Sequence, residues 1–252
     1  MNYSIKEKGK YKYIEEGEGE VIILLHGLFG STGNFTKLIE GFKSRYKVIV
    51  PILPIFDLSP RELSMVSLAD HVLDFIKEES YESVHLVGNS LGGHIGLMLT
   101  LKTPDVVQSL TLTGSSGLFE NALGGGFPRR QDYDFVTKVC ENIFYDPKVA
   151  TKDLVDEVFE TVNTPTKGLN IIVTAKSAMR HNLEHELHKI ETPTLLIWGK
   201  EDTITPAFVG VEFNKKIKNS ELHIFDKCGH APMMEKPNAF IPILQEFLIR
   251  NG

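Results

Sequence analysis

A serine flanked by glycines, Gly88-Asn89-Ser90-Leu91-Gly92, follows the apolar run Val84 to Val87 and precedes a second apolar tract. A serine hydroxyl attacks a carbonyl carbon only when a base takes its proton, and that base, a histidine, works best when a carboxylate fixes its tautomer. Both partners occur downstream. Asp202 lies in "WGKEDTITP" just beyond an apolar run ending at Trp198, and His230 lies in "FDKCGHAP" just beyond one ending at Phe225. The order serine, aspartate, histidine and the strand-turn-helix setting of Ser90 suit a nucleophile held on a sharp, exposed turn. A helix N-cap would explain Ser90 alone, and a satisfied loop histidine would explain His230 alone. Neither explains three matching residues at three strand ends. The chemistry expected of such a set is acyl transfer to Ser90 followed by attack of water.

Those residues need a rigid frame, and the chain supplies the pattern for one. "EVIILLHG" (20–27), "KVIVPIL" (47–53), "SVHLVGNS" (83–90), "VVQSLTLTG" (106–114), "TPTLLIWG" (192–199) and "SELHIF" (220–225) read as strands. Between them, "SLADHVLDFIKEES" (67–80) carries its apolar residues on a helical stripe, and "LGGHIGLMLTLK" (91–102) also reads as a helix. Strands buried on both faces and alternating with helices predict an α/β fold with a mostly parallel central sheet flanked by helices. The alternation stops between Gly114 and Lys189, where a glycine-rich stretch leads into helical tracts. The expected organisation is a core in two parts, residues 1–114 and 191–252, interrupted by a helical cap over residues 115–190 that follows the strand near 108–114.

Composition narrows the functions. With 252 residues, 42% apolar and 24% charged, the chain can bury a large core, and its net charge of −6 comes with no lysine or arginine block to track phosphates. Nucleic acid is therefore not an expected partner. No apolar run is long enough for a membrane span. The first residues, "MNYSIKEKGKYKYIEEGEGE", lack the apolar core of a secretory signal, so a cytoplasmic location and two free thiols, Cys140 and Cys228, are expected. No GxGxxG opens the first strand-turn and no P-loop lysine occurs, so no cofactor is implied. His181, His185 and His188 are spaced to share a helical face, but they do not form HExxH and no other ligand motif is near. No metal is expected there. The expected partner is a small-molecule substrate.

The segments "LLHGLFGS", "GNSLGG", "WGKEDTITP" and "DKCGHAPMMEKP" resemble the oxyanion, nucleophile, acid and histidine loops of the α/β-hydrolase fold family, and the resemblance runs nearly the whole chain. It implies a Ser90, Asp202, His230 triad, an oxyanion hole made of the backbone N–H groups of Leu28 and Leu91, a structural His26, and a lid formed by the helical insertion. Within the family the chain is similar to carboxylesterases and to the carbon–carbon bond hydrolases that cleave vinylogous 1,5-diketones. Asn89, and Asn34 in "GNF", match polar pocket residues of the latter. Three departures stand against that match: Ala231 where a tryptophan is usual, no arginine in the best-placed cap tract, with Arg180 lying later, and Ile55 and Asp57 where a neighbouring loop usually has glycines. The reading that follows is a serine hydrolase of a small, fairly apolar carboxylic ester or related acyl compound. The alternatives are the carbon–carbon hydrolase, with Asn34, Asn89 and Arg180 on the substrate, and, from a different class, a small-ligand receptor of the same fold.

Overall fold

The computed structural model describes residues 3–30, 32–119 and 131–252. Eight strands form one sheet: β1 (Lys6–Lys8), β2 (Tyr11–Glu16), β3 (Glu20–Leu25), β4 (Tyr46–Pro51), β5 (Val84–Asn89), β6 (Val107–Thr113), β7 (Thr194–Gly199) and β8 (Ser220–Phe225). Their spatial order is β1-β2-β4-β3-β5-β6-β7-β8. The β1–β2 and β2–β4 pairs are antiparallel and the others are parallel. The α/β class read from the sequence is the observed one.

Alternation along the strands builds two apolar layers. Ile22, Leu24, Val48 and Val50 join Phe35, Leu38, Ile39 and Phe240 on one side of the sheet, while Ile23, Leu25, Ile49 and Leu86 join Leu68, Val72, Ile95 and Trp198 on the other. The helices that cover these layers are α1 (Thr36–Phe42), α2 (Met65–Glu78), α3 (Leu91–Lys102), α7 (Ala207–Lys216), α8 (Pro232–Glu235) and α9 (Pro237–Arg250). Helix α2 starts at a capping box, in which the Ser64 hydroxyl accepts from the Ser67 N–H and the Ser67 hydroxyl accepts from the Ser64 N–H.

Between β6 and β7 lie α4 (Tyr133–Glu141), α5 (Lys152–Asn163) and α6 (Pro165–Arg180). Asp132 and Thr151 cap α4 and α5 through the N–H groups of Phe135 and Leu154. Val136, Cys140, Val155, Val158 and Val162 give this tract a small apolar core of its own. Residues 120–130, part of the stretch read as a cap, lie outside the described residues. Among the described residues no helix is long and apolar enough to cross a membrane.

The strand order fixes where a ligand can sit. After β3 the chain builds outward to β4, then returns to the opposite side of β3 to lay down β5. The loops that leave the carboxyl ends of β3 and β5 therefore part in opposite directions and open a crevice. Leu28 follows β3 and Ser90 follows β5, so the sequence motifs meet at that switch point.

Candidate active site

Ser90 links β5 to α3 with φ 54° and ψ −117°. A side chain in that region costs about 1–3 kcal/mol and persists only where its surroundings enforce it. The enforcement is visible. Ser90 N–H donates to Thr113 O at the end of β6 (3.0 Å), and Ser90 O accepts from the N–H groups of His94 (3.1 Å) and Ser116 (3.2 Å). The glycines explain how the turn closes: a Cβ on Gly88 would come within 2.5 Å of the Gly92 carbonyl group, and one on Gly92 within 2.0 Å of Leu25 O. Although Ser90 occupies the N-cap position of α3, its hydroxyl makes no capping bond. The half-buried hydroxyl is free to serve something other than the helix.

The carboxylate and the imidazole are joined. His230 Nδ1–H donates to Asp202 Oδ2 at 2.9 Å, and the two residues are 7% and 4% exposed. Asp202 is held on every side: its Oδ1 accepts from the N–H groups of Ile204 (2.8 Å) and Thr205 (2.9 Å), and its Oδ2 also accepts from the Thr205 hydroxyl (2.9 Å). The loop that carries these donors is tied to β7 by the Trp198 indole N–H, which donates to Thr205 O at 2.8 Å. His230 Nε2 is left as the acceptor nitrogen of this tautomer. The sequence reading missed Thr205, although a hydroxyl three residues after a strand-end aspartate is the spacing for a local side-chain turn.

Ser90 and His230 line one cavity of about 130 Å³ together with Gly27, Leu28, Phe29, Asn34, Asn89 and Ala231 from the core loops. Its other wall is apolar: Val139, Ile143 and Phe144 from α4 and the turn after it, Leu154 and Val158 from α5, and Ile204 and Met234. Among the described residues lining the cavity none is a lysine, arginine, aspartate or glutamate. Leu91 is the first residue of α3, so its N–H has no acceptor within the helix. The β3 loop that carries Leu28 passes directly by, since a Cβ on Gly27 would stand 3.3 Å from Ser90 Cβ.

The other residues singled out in the sequence fall in different places. Asn34 lines the cavity. Asn89 lines it too, but its amide nitrogen donates to Thr113 O (3.0 Å) and His230 O (3.1 Å), tying the end of β5 to the His230 loop. Arg180 is not brought to the others: its Nε donates to Lys176 O at 3.1 Å on an exposed helix end, beside a separate depression formed with Pro60, Leu63 and Ser64. His26 is buried, with Nε2 accepting from the Leu53 N–H (3.1 Å) and Nδ1 donating to Gly27 O (2.9 Å). Burial pushes its pKa below the ordinary histidine range, so it braces the β3 loop as a neutral ring.

The helical face shared by His181, His185 and His188 does not form, because α6 ends at Arg180. The chain is drawn off by the core: Asn182 Nδ2 donates to Leu118 O (2.7 Å) and Leu183 N–H donates to Gly117 O (2.8 Å). His181 instead lies within hydrogen-bond distance of His94, Nδ1 to Nε2 at 3.3 Å. Among the described residues no group of three or more histidines, cysteines or acids is placed to hold a metal. Ile55, one of the two loop residues singled out as departures from the expected glycines, is buried, and Asn170 of α6 holds its loop by donating to Ile55 O (2.7 Å) and Leu58 O (3.0 Å).

The model of the α/β hydrolase fold family matches residues 20–237. A 2-hydroxy-6-oxononadienedioate/2-hydroxy-6-oxononatrienedioate hydrolase of Escherichia coli (strain K12) is 31% identical over 276 residues, covering 98% of this chain and 94% of that protein. Among solved structures, MGS-MChE2, an α/β hydrolase enzyme from the metagenome of lagoon sediments at Mar Chica, Morocco, is 39% identical with a TM-score of 0.81 and 98% coverage of both chains. The 2-hydroxy-6-oxo-6-phenylhexa-2,4-dienoate hydrolase of Rhodococcus sp. strain RHA1 shares the fold, with a TM-score of 0.83, 24% identity, and 98% of this chain and 99% of that one covered.

Proposed function

Since the chain belongs to the α/β-hydrolase fold family, we propose that it is a serine hydrolase with Ser90 as nucleophile, His230 as base and Asp202 as the group that fixes the imidazole. The observation that carries this reading is the 2.9 Å bond from His230 to Asp202 beside a strained Ser90 whose hydroxyl caps nothing. Ser90 Oγ attacks the acyl carbon while His230 Nε2 takes its proton. The oxyanion receives hydrogen bonds from the N–H groups of Leu28 and Leu91, and one such donor is worth roughly a hundredfold or more in rate. His230 then protonates the leaving group, and water, deprotonated by the same nitrogen, releases the acid.

The described part of residues 115–190 acts as the cap over this site, with α4 and α5 supplying its apolar wall. Described wall residues without charge support a neutral, fairly apolar acyl substrate, and a short-chain carboxylic ester is the simplest of that class. The second reading is hydrolysis of a carbon–carbon bond in a vinylogous 1,5-diketone. The relatives favour it more directly, because the curated relative at 31% identity is named for a dienedioate substrate of that kind. An acidic substrate tail needs a cationic partner, which the described cavity residues do not offer. Among the described cavity residues Asn34 is then the amide left to donate to such a substrate, because both N–H groups of Asn89 already serve Thr113 O and His230 O.

The two readings separate in one comparison. kcat/KM is measured on acetyl to hexanoyl p-nitrophenyl esters, and on two vinylogous 1,5-diketones, one ending in a carboxylate and one in a neutral phenyl group. The ester reading expects the esters to be preferred. Preference for a diketone establishes the second reading, and preference for the carboxylate form also overturns the neutral-pocket argument.

A further inference from the structure

The histidine loop and the cavity wall meet at one side chain. Glu235, the last residue of α8, accepts at Oε1 from the Gly229 N–H (2.7 Å) and at Oε2 from the N–H groups of Tyr145 (2.8 Å) and Asp146 (3.3 Å). Gly229 immediately precedes His230, and Tyr145 immediately follows Ile143 and Phe144 of the cavity wall. The two backbones touch directly as well: His230 N–H donates to Ile143 O at 2.8 Å. The contact leaves no slack, since a Cβ on Gly229 would fall 2.5 Å from Ile143 O and 2.9 Å from Tyr145 N.

From this arrangement we infer that Glu235 is a positioning residue, whose carboxylate fixes the His230 backbone against the Ile143–Phe144 wall and so sets both the reach of the base and the shape of the acyl pocket. The effect on turnover rests on the reading of His230 as the base, while the positional effect does not. A carboxylate suits the task because it accepts at both oxygens and has no N–H of its own to clash with three donors. Cys228 adds a fourth, weak donor: its Sγ lies 3.9 Å from Oε1, and burial together with the nearby carboxylate pushes its thiol pKa up, keeping it protonated. Cys228 N–H meanwhile donates to Glu201 Oε2 at 3.0 Å, anchoring the other end of the same loop.

Glu235→Gln tests this with almost no change of shape. An amide has one carbonyl oxygen, so either the Gly229 N–H or the Tyr145 and Asp146 pair must face an NH2 group. Two readouts are taken. The first needs no substrate: the low-field proton resonance of the His230 Nδ1–H bonded to Asp202, which persists in the unchanged protein and in Ser90→Ala, broadens through faster exchange in Glu235→Gln. The second counts active sites by their burst and then measures kcat per site: loss of a charge-assisted bond lowers it by about tenfold, with KM for the acetyl ester unchanged and the hexanoyl-to-acetyl ratio of kcat/KM altered. A residue that merely stabilises the fold lowers the number of active sites and leaves kcat per site, the ratio and the resonance alone, and that result overturns the inference. Glu235→Ala provides the larger version of the same change. A broadened resonance in a protein that turns over none of the test substrates keeps the positioning role and removes the hydrolase reading. Normal turnover with an unchanged resonance does the reverse.

Discussion

Asp202→Asn is the sharpest perturbation of the site, because the structure says which way the new amide must point. Asp202 Oδ1 takes two backbone N–H groups, and Oδ2 takes the Thr205 hydroxyl and the His230 Nδ1–H. If the amide nitrogen replaces Oδ1, it faces two backbone donors that cannot turn away, at about 1–3 kcal/mol for each buried group left unpaired. If it replaces Oδ2, the Thr205 hydroxyl rotates and the imidazole moves its proton to Nε2, which costs far less. The second orientation wins, and it leaves Nε2 protonated and unable to take the proton of Ser90. A triad locked in the wrong tautomer loses roughly 10⁴ in kcat, about 5 kcal/mol of transition-state stabilisation. The fold keeps most of its bonds, so the midpoint of thermal unfolding falls by only a few degrees, at about 2–4 °C per kcal/mol for a chain of this size. Stopped-flow ester hydrolysis gives kcat and calorimetry gives the midpoint. A folded Asp202→Asn protein with kcat within tenfold of the unchanged protein refutes the assignment of Asp202.

Three other outcomes follow from the same geometry. Gly92→Ala places a Cβ 2.0 Å from Leu25 O, a backbone atom inside the sheet, so the variant loses about 3 kcal/mol or more and shows a lower midpoint or no folded yield. Leu154→Ala enlarges the apolar wall of the cavity and moves the ester optimum toward longer chains, each extra buried methylene adding about 0.8 kcal/mol to binding, read as a shifted kcat/KM series. His94 is buried within hydrogen-bond distance of His181 and Ser116, and burial first, then the neighbouring His181, hold its pKa down to about 3 from 6.5. Its folded pKa lies below its unfolded one, so the unfolded chain binds the extra proton between those values. The stability tied to neutral His94 is therefore complete above pH 6.5 and is lost as pH falls toward 3, at up to about 1.4 kcal/mol per pH unit. His94→Gln should flatten the fall in unfolding midpoint between pH 7 and pH 5, and an unchanged slope would contradict the account.

What the sequence made legible is what leaves a local trace. The parallel strands are apolar on both faces, so β3, β5 and β7 stand out as runs, and the Ser90 turn announces itself through glycines that close packing requires. The N-terminal hairpin left little trace. β1 is Lys6-Glu7-Lys8, exposed throughout, and is held by pairing with β2 and by the Lys6–Glu15 ion pair (3.0 Å) rather than by burial. β2 alternates over only a few residues, Tyr11 and Tyr13 inward with Lys12 outward, inside a charged segment. The histidine spacing after Arg180 carried helical periodicity, but hydrogen bonds from Asn182 and Leu183 to a distant loop ended the helix, and such tertiary capture has no local signature. Asn89 was legible as a polar residue beside Ser90, yet its two carbonyl partners lie 24 and 141 residues away and could not be read from the motif. The same distance hid half of what Glu235 does: Gly229 is a near neighbour in the chain, but Tyr145 and Asp146 lie about 90 residues earlier.

The central claim is that Ser90 carries the acyl group. It is tested by mixing the protein with a slowly hydrolysed p-nitrophenyl ester, stopping the reaction in acid during the burst, and locating the added mass by peptide analysis. The account predicts one acyl group per chain on the peptide containing Ser90, matched by an equal burst of p-nitrophenol, with both absent in Ser90→Ala. An acyl group on a different residue, or turnover that continues undiminished in Ser90→Ala, would contradict it.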